Sequence, residues 1–141
     1  MPPAPAPVDA RLLAAIATGG VVGSLGRYAV GLGLPHDPGA WPWGTLLVNL
    51  TGCLAMGLLV AFLVARPGTH RLARPFVGVG ILGGWTTFSA FAVDVLQQAH
   101  AGHGSLAAAY VCVSIVLGVA SVGLGTVVGQ RIWEHETGAR A

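Results

Sequence analysis

The chain has 141 residues, of which 54% are hydrophobic and only 9% charged, with a formal net charge of +2. At a mean hydropathy of +0.73 it cannot clothe a domain of this size in polar side chains, which excludes a soluble globular fold. Its basic residues are all arginine, and Arg11, Arg66, Arg71, Arg74, Arg131 and Arg140 lie between or beyond the apolar runs, so the charge speaks to membrane topology and gives no sign of nucleic-acid binding.

A hydrocarbon core about 30 Å thick needs about 20 apolar residues of helix to cross it, and four runs meet that length. Residues 1–11, rich in Pro and Ala, read as a disordered tail ahead of them. The first run covers residues 12–34. It lacks the basic leader and short apolar stretch of a cleavable signal peptide, and three further spans follow it. It carries Gly19, Gly20, Gly23 and Ser24 at four-residue spacings and one charge, Arg27. The turn Pro35-His36-Asp37-Pro38-Gly39 closes it, and Trp41 and Trp43 suit the headgroup belt.

The second run covers residues 43–65. Thr45 and Asn49 are four apart and share a face of the helix. The Asn49 amide has two N–H donors, which can hydrate an anion or tie two helices together, and both readings stay open at this point. Cys53 here and Cys112 in the fourth run lack metal-ligand spacing and read as buried thiols filling small volumes. A loop from Arg66-Pro67-Gly68 to Arg74-Pro75 follows.

The third run, residues 75–97, contains Gly83-Gly84-Trp85-Thr86-Thr87-Phe88-Ser89-Ala90-Phe91. A Gly-Gly pair followed by two threonines makes a poor helix, so non-helical backbone is expected from Gly83 to Thr86. At membrane depth such backbone is tolerated where it is buried in protein or lines a cavity. Its freed carbonyls can bind a cation, and the half-helix after it aims N–H groups and a positive dipole end at an anion. Phe88 and Phe91, three apart, project from one face, and their ring edges carry positive potential; the same spacing also serves simple packing. Asp94, near the end of this run, is the one carboxylate within a span. In the third connection, His100 and His103 lack further ligands at metal spacing and read as a solvated loop.

The fourth run covers residues 106–133 and carries Gly118, Ser121, Gly125 and Gly129 before a C-terminal tail, residues 134–141. Lipid is as apolar as leucine, so membrane helices associate through close contact at small residues, and the 22 glycines supply them. The expected architecture is an all-α membrane protein: one bundle of four transmembrane helices, the third broken mid-membrane.

Three stretches together resemble the signatures of the Fluc (CrcB) fluoride channels. They are Gly19-Gly20-Val21-Val22-Gly23-Ser24-Leu25-Gly26-Arg27-Tyr28, the block from Gly44 to Gly52 containing Asn49, and Gly83 to Phe91. The resemblance spans all four runs and implies a passive fluoride exporter of the cell's inner (plasma) membrane, and no enzyme. It implies an antiparallel dimer with two fluoride pores and a structural sodium ion at its centre. By the same likeness Asn49 is the pore-lining amide, Phe88 and Phe91 offer ring edges, and Thr87 and Ser89 offer hydroxyls. The carbonyls of Gly83 and Thr86 hold sodium, Thr45 lies near the pore midpoint, and Arg27 faces an aqueous vestibule. The fourth span would carry a polar track of Tyr110 and Ser114, then Gly118 where some members have a further Ser; Ser121 could stand in for part of it.

Two other classes fit parts of the sequence. A small four-helix multidrug transporter would need a membrane carboxylate for proton exchange, for which Asp94 is the candidate. A non-conducting accessory protein would explain the glycines but not a helix break with polar faces. The arginines also bias insertion: six flank the first, second and fourth runs on one side, against Arg27 alone, which puts both termini in the cytosol. A dual-topology homodimer expects near-balanced charge, so the partner is either a second copy inserted the other way or a homologous chain of opposite bias.

Overall fold

A computed structural model of the chain describes residues 9–138, with side chains to Trp133; most of the expected N-terminal tail and the last three residues lie outside the described residues. The elements are α1 (Ala10–Gly33), α2 (Trp43–Ala65), a π-helical segment (Arg74–Leu82), α3 (Gly83–Trp85), α4 (Phe88–His100) and α5 (Gly104–Gly138). Four stretches are long and apolar enough to cross a membrane: Ala10–Gly33, Trp43–Ala65, Arg74–His100 and Gly104–Trp133. The chain is a multi-pass, all-helical membrane protein.

Two boundaries differ from expectation. The helix α1 starts at Ala10 because Asp9 caps it, its Oδ1 accepting the Arg11 N–H at 2.9 Å. At the other end, α5 runs on to Gly138 through residues assigned to a tail. A third difference is the π-helical turn over Arg74–Leu82, where an ordinary helix was expected. Its one visible cue is Pro75 in the first turn, which withholds an N–H from the usual ladder.

Close approach at glycine organises the bundle. Gly19 and Gly23 of α1 meet Gly80 and Gly84 of the third span so tightly that a Cβ on Gly23 would run into the Ile81 carbonyl oxygen. Gly57 of α2 and Gly125 of α5 meet the partner backbone in the same way. Two helix pairs result, α1 against the π-helical segment with α3, and α2 against α5. Beyond the break the third span changes partner, and α4 packs on α5. Large apolar side chains such as Val64 and Val119 face outward, as lipid contact requires.

The break itself sits later than the glycines suggested. Gly83 is helical, with φ −65° and ψ −33°, and α3 continues to Trp85. The extended residues are Thr86 (φ −76°, ψ 157°) and Thr87 (φ −148°, ψ 119°). The expectation of non-helical backbone over Gly83 to Trp85 is therefore corrected. Gly84 is spent on contact with Gly20 and Ser24 of α1, and what opens the helix is a partner for the backbone of Thr87.

Candidate functional site

That partner is Asn49, which α2 presents to the break. The Thr87 N–H donates to Asn49 Oδ1 at 2.8 Å, and Asn49 Nδ2 donates to the Thr87 carbonyl at 3.0 Å. One amide thus satisfies both backbone groups of an extended residue inside a membrane-spanning stretch. Thr87 then caps the next helix: its Oγ1 accepts the Ala90 N–H at 3.1 Å and lies 3.2 Å from Ser89 Oγ. On the other side of the break, the Thr86 N–H and hydroxyl both donate to the Leu82 carbonyl, at 3.0 and 2.9 Å. Arg27 Nε donates to the Gly84 carbonyl at 3.0 Å. In a continuous helix the Thr87 N–H would serve the Gly83 carbonyl; turned to Asn49, it leaves that oxygen free of its helical bond.

Three cavities surround the break. The first, about 350 Å³, is lined by Asn49, Thr86, Thr87, Phe88, Phe91, Ser114 and Gly118 with Leu46, Leu50, Cys53 and Ile115, and none of these side chains is charged. Phe88 stands 81% exposed, its ring 5.8 Å from that of Phe91, and Phe91 leans on Tyr110 at 5.2 Å. The second cavity, about 500 Å³, joins Ser24, Arg27, Tyr28, Thr45 and Thr87. Thr87 lines both and so forms the wall between them. The third, about 200 Å³, shares Cys53 and Thr86 with the first and is bordered also by Gly83, Gly52, Met56 and Gly78.

The candidates from the sequence therefore divide. Asn49, Thr87, Phe88, Phe91 and Ser114 share the first cavity; Thr45 and Arg27 share the second; Gly83 and Thr86 border the third. Ser89 reaches the group only through Thr87. Tyr110 is fully buried behind Phe91, with Ser114 and Thr45 as polar neighbours. The Tyr110 Oη and Ser114 Oγ are both buried without a hydrogen-bond partner among the described residues. Gly118 lines the first cavity and Ser121 does not, so the track ends without a third hydroxyl.

A second polar cluster lies at the other end of α4, where the first and third connections meet. His36 Nε2 lies 3.3 Å from Asp94 Oδ1, Gln98 Nε2 donates to the Ala40 carbonyl at 2.9 Å, and His103 Nδ1 sits 3.1 Å from the Gly39 carbonyl. His103 is exposed, as expected of a solvated loop, and it also ties the two connections. Asp94 and Gln98, four apart on α4, were the available signal; their partners come from a loop some 58 positions away, which spacing along one helix cannot show.

Chemically, the first cavity offers an amide N–H, hydroxyls and aromatic ring edges in a wall without formal charge, a donor set suited to a small, strongly hydrated anion. The comparisons agree with that chemistry. Among curated proteins, the chain is 41% identical over 127 residues, 90% of its length and 89% of the relative's, to Fluoride-specific ion channel FluC 2 of Nocardia farcinica (strain IFM 10152). It is 42% identical over 120 residues, 84% of its length and 94% of the relative's, to Fluoride-specific ion channel FluC of Hyphomonas neptunium (strain ATCC 15444). It is 45% identical over 118 residues, again 84% and 94%, to Fluoride-specific ion channel FluC of Paracoccus denitrificans (strain Pd 1222). The family model described as CrcB-like protein, Camphor Resistance (CrcB) matches residues 14–126, which cover the second and third spans with the broken segment and most of the first and fourth, and on these grounds the chain belongs to the CrcB family.

Proposed function

We propose that this chain is a fluoride channel of the cell's inner (plasma) membrane and exports the anion passively. The observation that carries the proposal is the first cavity: Asn49, Thr87, Ser114, Phe88 and Phe91 converge on one space with no charged side chain in its lining. Neutral donors in series replace the hydration shell of fluoride well enough to admit it and weakly enough to release it. A lysine or arginine there would trap the anion. Arg27 lies instead in the second cavity and spends its Nε on the Gly84 carbonyl, so it draws anions toward the Thr87 wall from outside the first cavity. Fluoride that enters cells as the neutral acid dissociates in the cytosol, and an inside-negative potential drives the anion out.

Sodium is the cofactor of this reading. The Gly83 carbonyl, deprived of its helical partner by the Asn49 clamp, and the Thr86 carbonyl at the extended turn would hold it, and the ion would supply positive charge that fixes the break. The functional unit is an antiparallel dimer, formed with a second copy or with a homologous chain of opposite arginine bias. A cavity that opens amide and hydroxyl groups beside an 81% exposed Phe88 supports such a partner, since lipid cannot satisfy those groups.

The decisive measurement is anion efflux from proteoliposomes, read with a fluoride electrode against a chloride control. Fluoride release without chloride release is expected; no fluoride release, or equal release of both, overturns the proposal.

A further inference from the structure

Among the described residues, Asp94 of α4 is the one carboxylate within the membrane-spanning stretches, and the anion pathway proposed above makes no use of it. It is only 7% exposed. Asp94 follows Phe91 by three residues, so the two share a face of α4, and Phe91 lines the first cavity. Tyr110, whose ring lies 5.2 Å from that of Phe91, feels the Asp94 charge and has Ser114 beside it, another residue of the same cavity wall. A bare negative charge on that face opposes an anion beside Phe91, and through protein it does so several times more strongly than through water.

What compensates Asp94 is one side chain. Its Oδ1 lies 3.3 Å from His36 Nε2, while its Oδ2 is buried without a hydrogen-bond partner among the described residues. The other elements around it bring no second cation. On α4 itself, Gln98 donates its Nε2 to the Ala40 carbonyl and His100 is exposed. The third connection brings His103, which is turned to the Gly39 carbonyl. From α5 comes Tyr110, from α2 the Thr45 hydroxyl beside it, and Arg27 of α1 donates to the Gly84 carbonyl. In the first connection Asp37, next to His36, is exposed. The His36 side chain is 25% exposed against 8% for that of Asp94, so solvent can deliver a proton to the ring. Histidine is the side chain whose charge ordinarily changes between about pH 5 and 8. With the ring protonated the pair is neutral overall; with the ring neutral, one uncompensated negative charge stands a turn beyond Phe91.

We infer that His36 is a proton-operated regulator of the anion pathway: protonated, it neutralises Asp94 and lets fluoride pass, and neutral, it leaves the Asp94 charge to oppose the anion. The inference rests on the fluoride reading above and adds a pH dependence to it. The same contact ties the first connection to α4, which gives it a second consequence independent of flux. A charged pair stabilises the fold while the ring holds its proton, so this stability is present at low pH and is lost as pH rises through the histidine range.

The experiment is fluoride efflux from proteoliposomes with the pH set equally on both sides, at about pH 5.5 and about pH 8, after subtraction of the leak from protein-free vesicles. Wild type is expected to run roughly five-fold or more faster at the lower pH. His36→Arg, charged throughout, should hold the fast rate at both values, and His36→Gln, never charged, the slow rate at both. Asp94→Asn, which removes the opposing charge, should be fast at both; should it fail to fold, the two His36 variants carry the test. Wild-type flux that does not change with pH, a pH response kept in His36→Gln, a slow His36→Arg, or a folded Asp94→Asn that is slow or silent overturns the inference and leaves the fluoride reading standing. Absence of wild-type flux at both pH values refutes the fluoride reading instead. Unfolding in mixed micelles reads the contact by itself: the wild-type midpoint should exceed that of His36→Gln at the lower pH and match it at the higher, and equal midpoints at both would refute the charged pair.

Discussion

In the proposed channel Asn49 bears two tasks at once, and substitutions can separate them. In Asn49→Ala the Thr87 N–H and carbonyl lose partners at 2.8 and 3.0 Å at a residue only 9% exposed. Unsatisfied buried groups cost about 1–3 kcal/mol each, so about 2–6 kcal/mol is the ceiling. Hydrogen bonds inside membrane proteins average nearer 0.6 kcal/mol, because the reference state also finds partners. Here the Thr87 N–H can also fall back on the Gly83 carbonyl by closing the helix. A loss of about 1–3 kcal/mol is expected, together with loss of the break. Asn49→Asp behaves differently: it keeps the acceptor for the Thr87 N–H but sets a carboxylate oxygen against the Thr87 carbonyl and a negative charge in the anion's path. At ~4 Å and an effective dielectric of ~20 that charge opposes fluoride by ~4 kcal/mol, about three decades in rate. Reversible unfolding in mixed micelles reads the first effect and fluoride efflux from liposomes the second. Wild-type stability in Asn49→Ala would refute the clamp, and wild-type flux in Asn49→Asp would remove Asn49 from the pathway.

Phe88→Ile and Phe91→Ile keep much of the volume and lose the electropositive ring edge; each is expected to cut fluoride efflux at least ten-fold with the protein still folded, and undiminished flux in both would mean the rings only pack. Gly23→Ala drives a Cβ into the Ile81 carbonyl oxygen and should cost about 1–3 kcal/mol in the same unfolding assay, whereas Gly20→Ala, with open space at its Cβ, should stay within about 0.5 kcal/mol. Strictly sodium-free conditions should lower the unfolding midpoint and reduce flux, and an unshifted midpoint with full flux would leave the Gly83 and Thr86 carbonyls without a cation. Cysteine labels placed in the second and third connections and probed from outside intact cells should mark the third connection alone if the arginine bias governs insertion; equal labelling of both would mean the chain inserts both ways and pairs with itself.

The spans were legible because hydrophobic length in a bilayer is a one-dimensional property: each run declared itself without reference to the others. The turn at Pro35 to Gly39 was legible for the same reason, and Gly39 does take a positive φ of 91°. Asn49 could be noticed but not assigned, since an amide mid-helix fits glue and pore equally until the residue 38 positions away is seen to need it. The break was misplaced because glycine was read by its propensity alone. At Gly84 the missing side chain serves the contact with Gly20 and Ser24 of α1, and in a tightly packed membrane interface that contact outweighs the glycine's poor helix propensity of about 1 kcal/mol. The π-helical turn and the ties of His103 and Gln98 to the first connection depend on long-range geometry, which no local pattern encodes.

The placement of the break at Thr86 and Thr87 gives a reason for the spacing of the whole signature. The glycines must come first, because the third span lies against α1 only while it can approach that closely, and Arg27 holds the last of them by its carbonyl. The threonines must come next, at the point where the span leaves α1 for α5, and their hydroxyls close the two helix ends they separate. The phenylalanines then follow within one turn of the new helix, which carries Phe88 outward and Phe91 back toward Tyr110. Move the break one residue in either direction and Asn49 no longer meets an N–H and a carbonyl of the same residue, while the rings rotate by about 100° about α4. The clamp and the orientation of the rings are thus a single constraint: the amide that ties α2 to the third span also fixes where the rings stand. Holding Thr87 open is what sets Phe88 and Phe91 beside the cavity, and in the proposed channel the amide N–H left over after that bond is what Asn49 would offer an anion.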